Sequence, residues 1–292
     1  MAYHSLLEAI GRTPVVEIRS LNPVPGTSIY AKLEWYNPTG SLKDRIVKFM
    51  VEQAEERGEL RPGMTIVEST SGNTGIALAA VAAHRGYRAL IVMAENMSVE
   101  RRRIIQALGA EVVLTPAKEG SDGAILRARE IAQAPEHYFL SQFENQDNVL
   151  AHYQTTAREI LEQVPHLDTF VAGMGTGGTV TGVARRLKET SQAIKVVAIE
   201  PRPGSHIQGL KSFRDYVPPI VDFSLIDEVA TIEDEDAFKA ARLLAEREGL
   251  FVGMSSGAVM HVMVAQVVSG RHMVVGVFGD CGTKYLSTEL FP

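Results

Sequence analysis

Thr169-Phe170-Val171-Ala172-Gly173-Met174-Gly175-Thr176-Gly177-Gly178-Thr179 is a short apolar run that breaks into glycines and, from Val180, takes up helical spacing. A strand that feeds a helix through a tight glycine turn is half of a βαβ unit, whose crossover sets neighbouring strands parallel. The same alternation continues in both directions. Strand-like runs span Ser28 to Leu33, Thr65 to Glu68, Ala89 to Met93 and Glu111 to Leu114 before it, and Lys195 to Ile199 and Met273 to Phe278 after it. Helical spacing fills Leu42 to Arg57, Thr74 to Arg85, Val99 to Leu108, Gly123 to Gln133, Val180 to Lys188, Asp236 to Glu248 and Gly257 to Val268. The fold class is α/β, with parallel sheets covered by helices. Gly58, Gly86 and Gly109 each stand between a helical stretch and a strand, where a glycine ends a helix.

A chain of 292 residues, 45% hydrophobic and 22% charged, can bury a large core and suits two domains of ordinary size. Its net charge of −6 and the lack of basic clusters beyond Arg101-Arg102-Arg103 argue against a nucleic-acid partner. That arginine run falls within a helical pattern and reads as a solvated face. The single Cys281 excludes an internal disulfide and a cysteine-based metal cage, and fits a reducing compartment. The eight histidines show no paired ligand spacing, so no metal is expected. Met1 to Ile10 has no basic start followed by an apolar run, and no stretch is long and apolar enough to span a bilayer. The expectation is a soluble cytoplasmic protein.

Three segments carry chemistry. In Asn37-Pro38-Thr39-Gly40-Ser41-Leu42-Lys43-Asp44-Arg45, a lysine opens a helix, where free backbone N–H groups disfavour the ammonium. A neutral lysine can condense with a carbonyl and remove a proton, although a lysine in a helix first turn is otherwise a surface residue. Thr70-Ser71-Gly72-Asn73-Thr74-Gly75 follows a strand and opens a helix, which makes either a carboxylate cradle or an ordinary hydroxyl cap. Gly173, Gly175 and Gly178 match the dinucleotide fingerprint G-x-G-x-x-G, and Glu200 ends the next strand where a ribose-binding acid would sit. That reading explains neither Lys43 nor the Thr70 loop. One phosphate on Gly175 to Thr179 is compatible with all three. Lysine, carboxylate cradle and phosphate cradle together are what a pyridoxal phosphate enzyme acting on amino acids requires.

At these motifs the chain resembles the cysteine synthase family, the O-acetylserine sulfhydrylases, cystathionine β-synthases and relatives among the fold-type II pyridoxal phosphate enzymes. The resemblance runs from about Ile10 to Pro292. It implies a tryptophan synthase β-like architecture, with a small domain at 36–148, a larger one from 1–35 plus 149–292, and the cofactor in the cleft between them. It implies that Lys43 is the catalytic Schiff-base lysine, that Gly175, Thr176, Gly177, Gly178 and Thr179 bind the cofactor phosphate, and that Asn73 faces its ring hydroxyl. Thr70, Ser71, Asn73, Thr74 and Gln142 correspond to the residues that hold the substrate carboxylate.

Ser255, in Gly253-Met254-Ser255-Ser256-Gly257, aligns with the residue beside the pyridine nitrogen; read alone it is an N-cap of the helix from Gly257. A neutral hydroxyl there leaves the ring a weaker electron sink, which suits β-replacement better than transamination. Lys211, in Gly209-Leu210-Lys211-Ser212-Phe213-Arg214, stands where B-type relatives carry arginine, and would meet an anionic substrate unless it is simply an exposed loop lysine. Asp280 and Cys281 stand just past the strand ending at Phe278, close enough to border the site; Cys281 is assigned no role.

The implied activity is β-replacement with pyridoxal 5'-phosphate, making L-cysteine from O-acetylserine or O-phosphoserine and sulfide, thiosulfate or a protein thiocarboxylate. The rivals are a cystathionine β-synthase, a serine or threonine dehydratase, and a non-catalytic cofactor-binding regulatory subunit, against which the intact Lys43 argues. The implied partners are small-molecule substrates, a second copy of the chain in a homodimer, and a sulfur-carrier protein as an alternative donor.

Overall fold

The computed structural model describes residues 2–214 and 216–291. Strands β1 (Val15–Ile18) and β2 (Ser28–Leu33) lead into helix α1 (Lys43–Glu56). Strands and helices then alternate as β3 (Thr65–Ser69), α2 (Asn73–Arg85), β4 (Arg88–Ala94), α3 (Val99–Ala107), β5 (Glu111–Thr115), α4 (Gly120–Ile131) and β6 (His137–Phe139). Helices α5 (Asp147–Ala151) and α6 (Ala157–Gln163) are joined by a π-helical turn at His152–Thr156. The remainder is β7 (Thr169–Gly173), α7 (Gly178–Thr190), β8 (Lys195–Pro201), β9 (Glu228–Ile232), α8 (Asp234–Glu248), α9 (Met254–Val268) and β10 (Met273–Phe278).

Two sheets result. The four-stranded one runs β5-β4-β3-β6 and is parallel throughout. The six-stranded one runs β1-β2-β10-β7-β8-β9, parallel except for the antiparallel β1–β2 pair at its edge. Strand β10, last in the chain, is inserted between β2 and β7, with Met273 opposite Ser28 and Val274 opposite Thr169. The interior parallel strands β3, β4, β7, β8 and β10 are buried on both faces over most of their length, which is why they read as largely apolar runs. All of β3 is buried, for example. Helix α1 buries Ile46, Val47, Met50, Val51 and Ala54, a stripe at helical spacing, against the four-stranded sheet's core.

The strands and helices expected from sequence are all present, with ends shifted by up to a few residues. Gly58, Gly86 and Gly109 take left-handed φ of +70°, +78° and +87° just past their helices. Two readings are corrected. Helix α9 starts at Met254 with Gly253 as its N-cap, so Ser255 lies inside the first turn and does not cap it. The arginine run is not a uniformly solvated face either: Arg101 is 6% exposed, Arg102 half-buried and Arg103 exposed. Among the described residues no helix is long and apolar enough to cross a membrane.

The Thr70 loop leaves the C-terminal end of β3, the glycine loop leaves that of β7, and Asp280 follows β10. Carboxyl ends of parallel strands are where α/β folds gather their ligand groups.

Candidate active site

Lys43 is the first residue of α1, and its N–H donates to Ser41 Oγ at 3.2 Å. The turn before it is fastened to the end of β10, because Leu42 N–H donates to Gly279 O at 3.0 Å and Ser41 bridges Asp280. One residue on, Asp44 accepts from Thr39 N–H at 2.7 Å and from the Thr39 hydroxyl. Arg45 then spans a buried acid pair, with Nε 2.6 Å from Glu34 Oε2 and Nη1 2.7 Å from Glu159 Oε1. With its helix held on both sides, the Lys43 ammonium is pushed down to about 8 by burial, against the pull of the Asp280 carboxylate.

Lys43 opens onto a cleft of about 680 Å³ whose wall also includes Thr70, Ser71, Asn73, Thr74, Gln142, Gly175, Thr176 and Lys211. These expected residues therefore converge on one space. Helix α2 has Gly72 as its N-cap with no side-chain cap bond, so the hydroxyls of the loop are not consumed by capping. Thr74 Oγ1 instead donates to Gln142 Oε1 at 2.7 Å, which leaves the Gln142 amide nitrogen as a donor. Behind them Glu68 accepts from Gln142 N–H at 3.1 Å and Ser69 N–H at 3.0 Å; burial pushes its carboxyl up to about 8.

Gly177, Gly178, Thr179 and Ser255 are not in the cleft wall. They form the layer behind it. A Cβ on Gly175 would sit 2.5 Å from Gly209 O, and one on Gly178 would overlap Asn148 Oδ1, so this backbone approaches its neighbours closely enough to demand glycine. Asn148 Nδ2 donates to Thr176 Oγ1 at 3.0 Å, and Thr179 Oγ1 meets His152 Nε2 at 3.1 Å. Among the described residues the N–H groups of Gly175, Thr176 and Gly177 have no acceptor. Free donors leading into the N-terminus of α7 fit a phosphate group. Glu200, the acid the dinucleotide reading needs, accepts from Phe213 N–H at 3.2 Å and serves its own loop. The Ser255 hydroxyl stands between Gly209 and Gly279, 3.7 Å and 3.8 Å from where Cβ atoms on those residues would lie.

Other residues at the wall or just behind it complete the site, and of these the sequence reading points only to Asp280. Asn73 Nδ2 donates to Asp280 Oδ2 at 2.7 Å, and Tyr285 OH donates to the same oxygen at 2.8 Å. Lys284 Nζ donates to Asn73 Oδ1 at 2.8 Å, Thr39 O at 3.1 Å and Gly40 O at 3.2 Å, and so binds the Lys43 loop to the Thr70 loop. Arg101 and Tyr285 line the cleft as well. Asp280 had a signal, its place at a strand end; Lys284 and Tyr285 follow it by a fixed short distance and had none of their own. Cys281 stays outside the wall, with Sγ 2.8 Å from Thr283 Oγ1. Among the described residues no group of three or more His, Cys, Asp or Glu is arranged to hold a metal ion.

The sequence profile of the pyridoxal-phosphate dependent enzymes matches residues 6–279. Cysteine synthase B of Escherichia coli is 44% identical over 290 residues, covering 98% of this chain and 96% of its own. The solved structure of an O-ureido-L-serine synthase superposes with a TM-score of 0.96 at 42% identity, covering all of this chain and 96% of that one. An O-acetylserine dependent cystathionine β-synthase from Helicobacter pylori superposes with a TM-score of 0.94 at 39% identity, each chain fully covered. With a lysine, a hydroxyl-lined loop and a glycine cradle converging as that fold requires, the chain belongs to the cysteine synthase family of pyridoxal-phosphate dependent enzymes.

Proposed function

We propose that this enzyme carries out β-replacement on an activated serine, O-acetylserine or O-phosphoserine, giving L-cysteine directly with sulfide as sulfur donor. With thiosulfate or a protein thiocarboxylate it gives S-sulfocysteine or an acyl-cysteine adduct, which a separate reduction or hydrolysis converts to cysteine. The observation that carries the reading is the opening of Lys43 onto the same cleft as the Thr70 loop and the Gly175 loop. Pyridoxal 5'-phosphate is the cofactor, and when bound it supplies an aldehyde for amines and a conjugated ring that stabilises negative charge at the substrate α-carbon.

The residues divide the work. Lys43 Nζ, brought to about 8, is neutral often enough near neutral pH to bond to a carbonyl carbon and to take and return the substrate α-proton. Gly175 to Thr179 hold the phosphate through backbone N–H groups and the hydroxyls of Thr176 and Thr179. The Thr70 and Ser71 hydroxyls, the Thr74 backbone N–H and the Gln142 amide nitrogen hold the substrate carboxylate, which orients the α-C–H bond toward Nζ. Asn73, fixed at both ends by Asp280 and Lys284, presents its remaining N–H to the ring hydroxyl. Ser255 would meet the ring nitrogen as a neutral hydroxyl, which would favour replacement over transamination.

The division into 36–148 and 1–35 plus 149–292 belongs to the same proposal. It is supported by the four-stranded sheet, whose strands all lie within the first unit, and the six-stranded sheet, whose strands all lie within the second. From the family resemblance we further infer a cytoplasmic homodimer acting on small molecules, with a sulfur-carrier protein as the one protein donor the reading admits.

A substrate panel tests it, with O-acetylserine and O-phosphoserine each offered sulfide, thiosulfate and homocysteine. Products of the inorganic donors should exceed cystathionine. Predominant cystathionine would make it a cystathionine β-synthase, and pyruvate alone would make it a dehydratase.

A further inference from the structure

Arg101 is a buried charged residue of the cleft wall that the reaction above leaves without a task. It stands on α3 with 6% of its surface exposed, and its guanidinium carbon lies 5.2 Å from the centre of the Tyr285 ring. Its backbone N–H reaches Ser98 Oγ, but among the described residues its side chain has no hydrogen bond and no ion pair, and Nε is buried without a partner. Burying a cation without an anion is costly, and a ring face recovers only part of the loss.

The ring takes no hydrogen bond in the guanidinium's plane, so the side-chain N–H groups remain as donors, a set that can grip an oxyanion through two parallel bonds. Lys211 is placed comparably across the same cleft, with Nζ 4.4 Å from the Phe143 ring centre and no ion pair among the described residues. The wall thus carries Lys43, Arg101 and Lys211 against one acid, Glu289, in a chain whose net charge is −6. Such a concave patch concentrates small anions.

The substrate carboxylate and the cofactor phosphate have their own cradles, so the guanidinium is spare for a third anion. We propose that Arg101 binds a tetrahedral oxyanion carried by one of the two substrates, either the phosphate ester of the activated serine or a sulfur-donor oxyanion such as thiosulfate. Naming those carriers rests on the β-replacement reading; the anion site itself does not.

Calorimetric titration of the holoenzyme with sulfate, a tetrahedral dianion that cannot react as a nucleophile, tests the site without turnover. Arg101→Met keeps the length and the contact with Tyr285 and removes the charge; sulfate affinity should fall at least tenfold. Arg101→Lys, a point charge without the planar fork, should lose less. Arg101→Gln serves as the second neutral variant should the methionine protein fail to fold. Steady-state kinetics then separate the carriers. A KM that rises tenfold for O-phosphoserine, relative to that for O-acetylserine, assigns the phosphate ester, and the same rise for thiosulfate assigns the sulfur donor. Equal sulfate affinity in wild type and a folded neutral variant, no sulfate binding to wild type, or equal rises in every KM each overturn the proposal. A protein that makes no cysteine yet loses sulfate with Arg101 sinks the β-replacement reading and leaves the anion site standing.

Discussion

Asn73 is clamped between opposite charges: its Nδ2 donates to Asp280 Oδ2 at 2.7 Å while its Oδ1 accepts from Lys284 Nζ at 2.8 Å. The amide cannot turn over without breaking both bonds. Asp280 thereby links the orientation of Asn73 to the charge on Lys43, since its carboxylate is the influence that favours the lysine ammonium.

Asp280→Asn keeps the shape and removes that charge. The Lys43 ammonium, now at about 8, should titrate lower still, because the opposing carboxylate is gone. Capture of pyridoxal phosphate by the stripped protein needs the neutral amine and speeds up as pH rises through the lysine pKa. Stopped-flow absorbance should therefore show the midpoint of that rise moving to lower pH in the variant; an unchanged or higher midpoint contradicts the electrostatic link.

Lys43→Ala should abolish the absorbance of the attached cofactor and reduce cysteine formation by at least about 10³-fold, because nucleophile and proton carrier are lost together. Alanine is a good helix residue and the change removes a partly buried cation, so the thermal midpoint should equal or exceed that of wild type. Retained turnover would end the assignment of Lys43.

At Gly177, φ is +84° and an added Cβ would overlap Val221 Cγ2. Gly177→Ala should cost about 2 to 4 kcal/mol in urea unfolding, from left-handed strain and overpacking together. It should also weaken pyridoxal phosphate binding. Adding Val221→Ala should restore the overpacking share only, and Gly177→Asp should weaken the cofactor more than Gly177→Ala does, by placing a carboxylate near the phosphate. Tight NAD binding by the stripped protein, without pyridoxal phosphate binding, would revive the dinucleotide reading.

The Glu159 carboxyl is held down to about 2, where Arg45 and Lys32 outweigh its burial. A folded-state pKa below the ordinary 4.5 gives stability that is present above 4.5 and lost as pH falls toward 2. The stability gap between wild type and Glu159→Gln should be about 3 kcal/mol at pH 7 and should shrink steadily below pH 5. A gap independent of pH would show that packing, and not charge, makes Glu159 matter.

Lys211→Ala should raise the KM for O-phosphoserine or thiosulfate about tenfold relative to that for O-acetylserine, since about 1.4 kcal/mol is one decade. Equal effects on every substrate would leave Lys211 with no part in reading charge.

Sequence pattern located the elements that are buried on both sides. Residues 28–33 and 273–278 were delimited to the residue because β2 and β10 are largely apolar and lie inside a sheet. Strands β1, β6 and β9 escaped because they are sheet edges that are short or broken by polar residues; β9 reads Glu-Val-Ala-Thr-Ile with its first four residues half-buried or exposed, whereas the edge strand β5 was found through its unbroken Val112-Val113-Leu114. Helices α5 and α6 escaped because the turn between them, His-Tyr-Gln-Thr-Thr, is π-helical and breaks the 3.6-residue period. At the site, glycine and hydroxyl spacing exposed the loops, since backbone geometry dictates those residue types. Arg101 and Lys284 were invisible because a lone cation's meaning comes from what tertiary packing places beside it, here the Tyr285 ring and the Asn73 amide.

Because β10 lies between β2 and β7, the ladder joining residues 28–33 to residues 169–171 does not exist until residues 273–278 have left the ribosome. The four strands between Thr65 and Phe139 can pair much earlier in synthesis. Until β10 emerges, β2 has only β1 as a neighbour, and its other edge and that of β7 remain open to intermolecular pairing. A chain lacking residues 273–278 therefore carries two bare strand edges, one on β2 and one on β7.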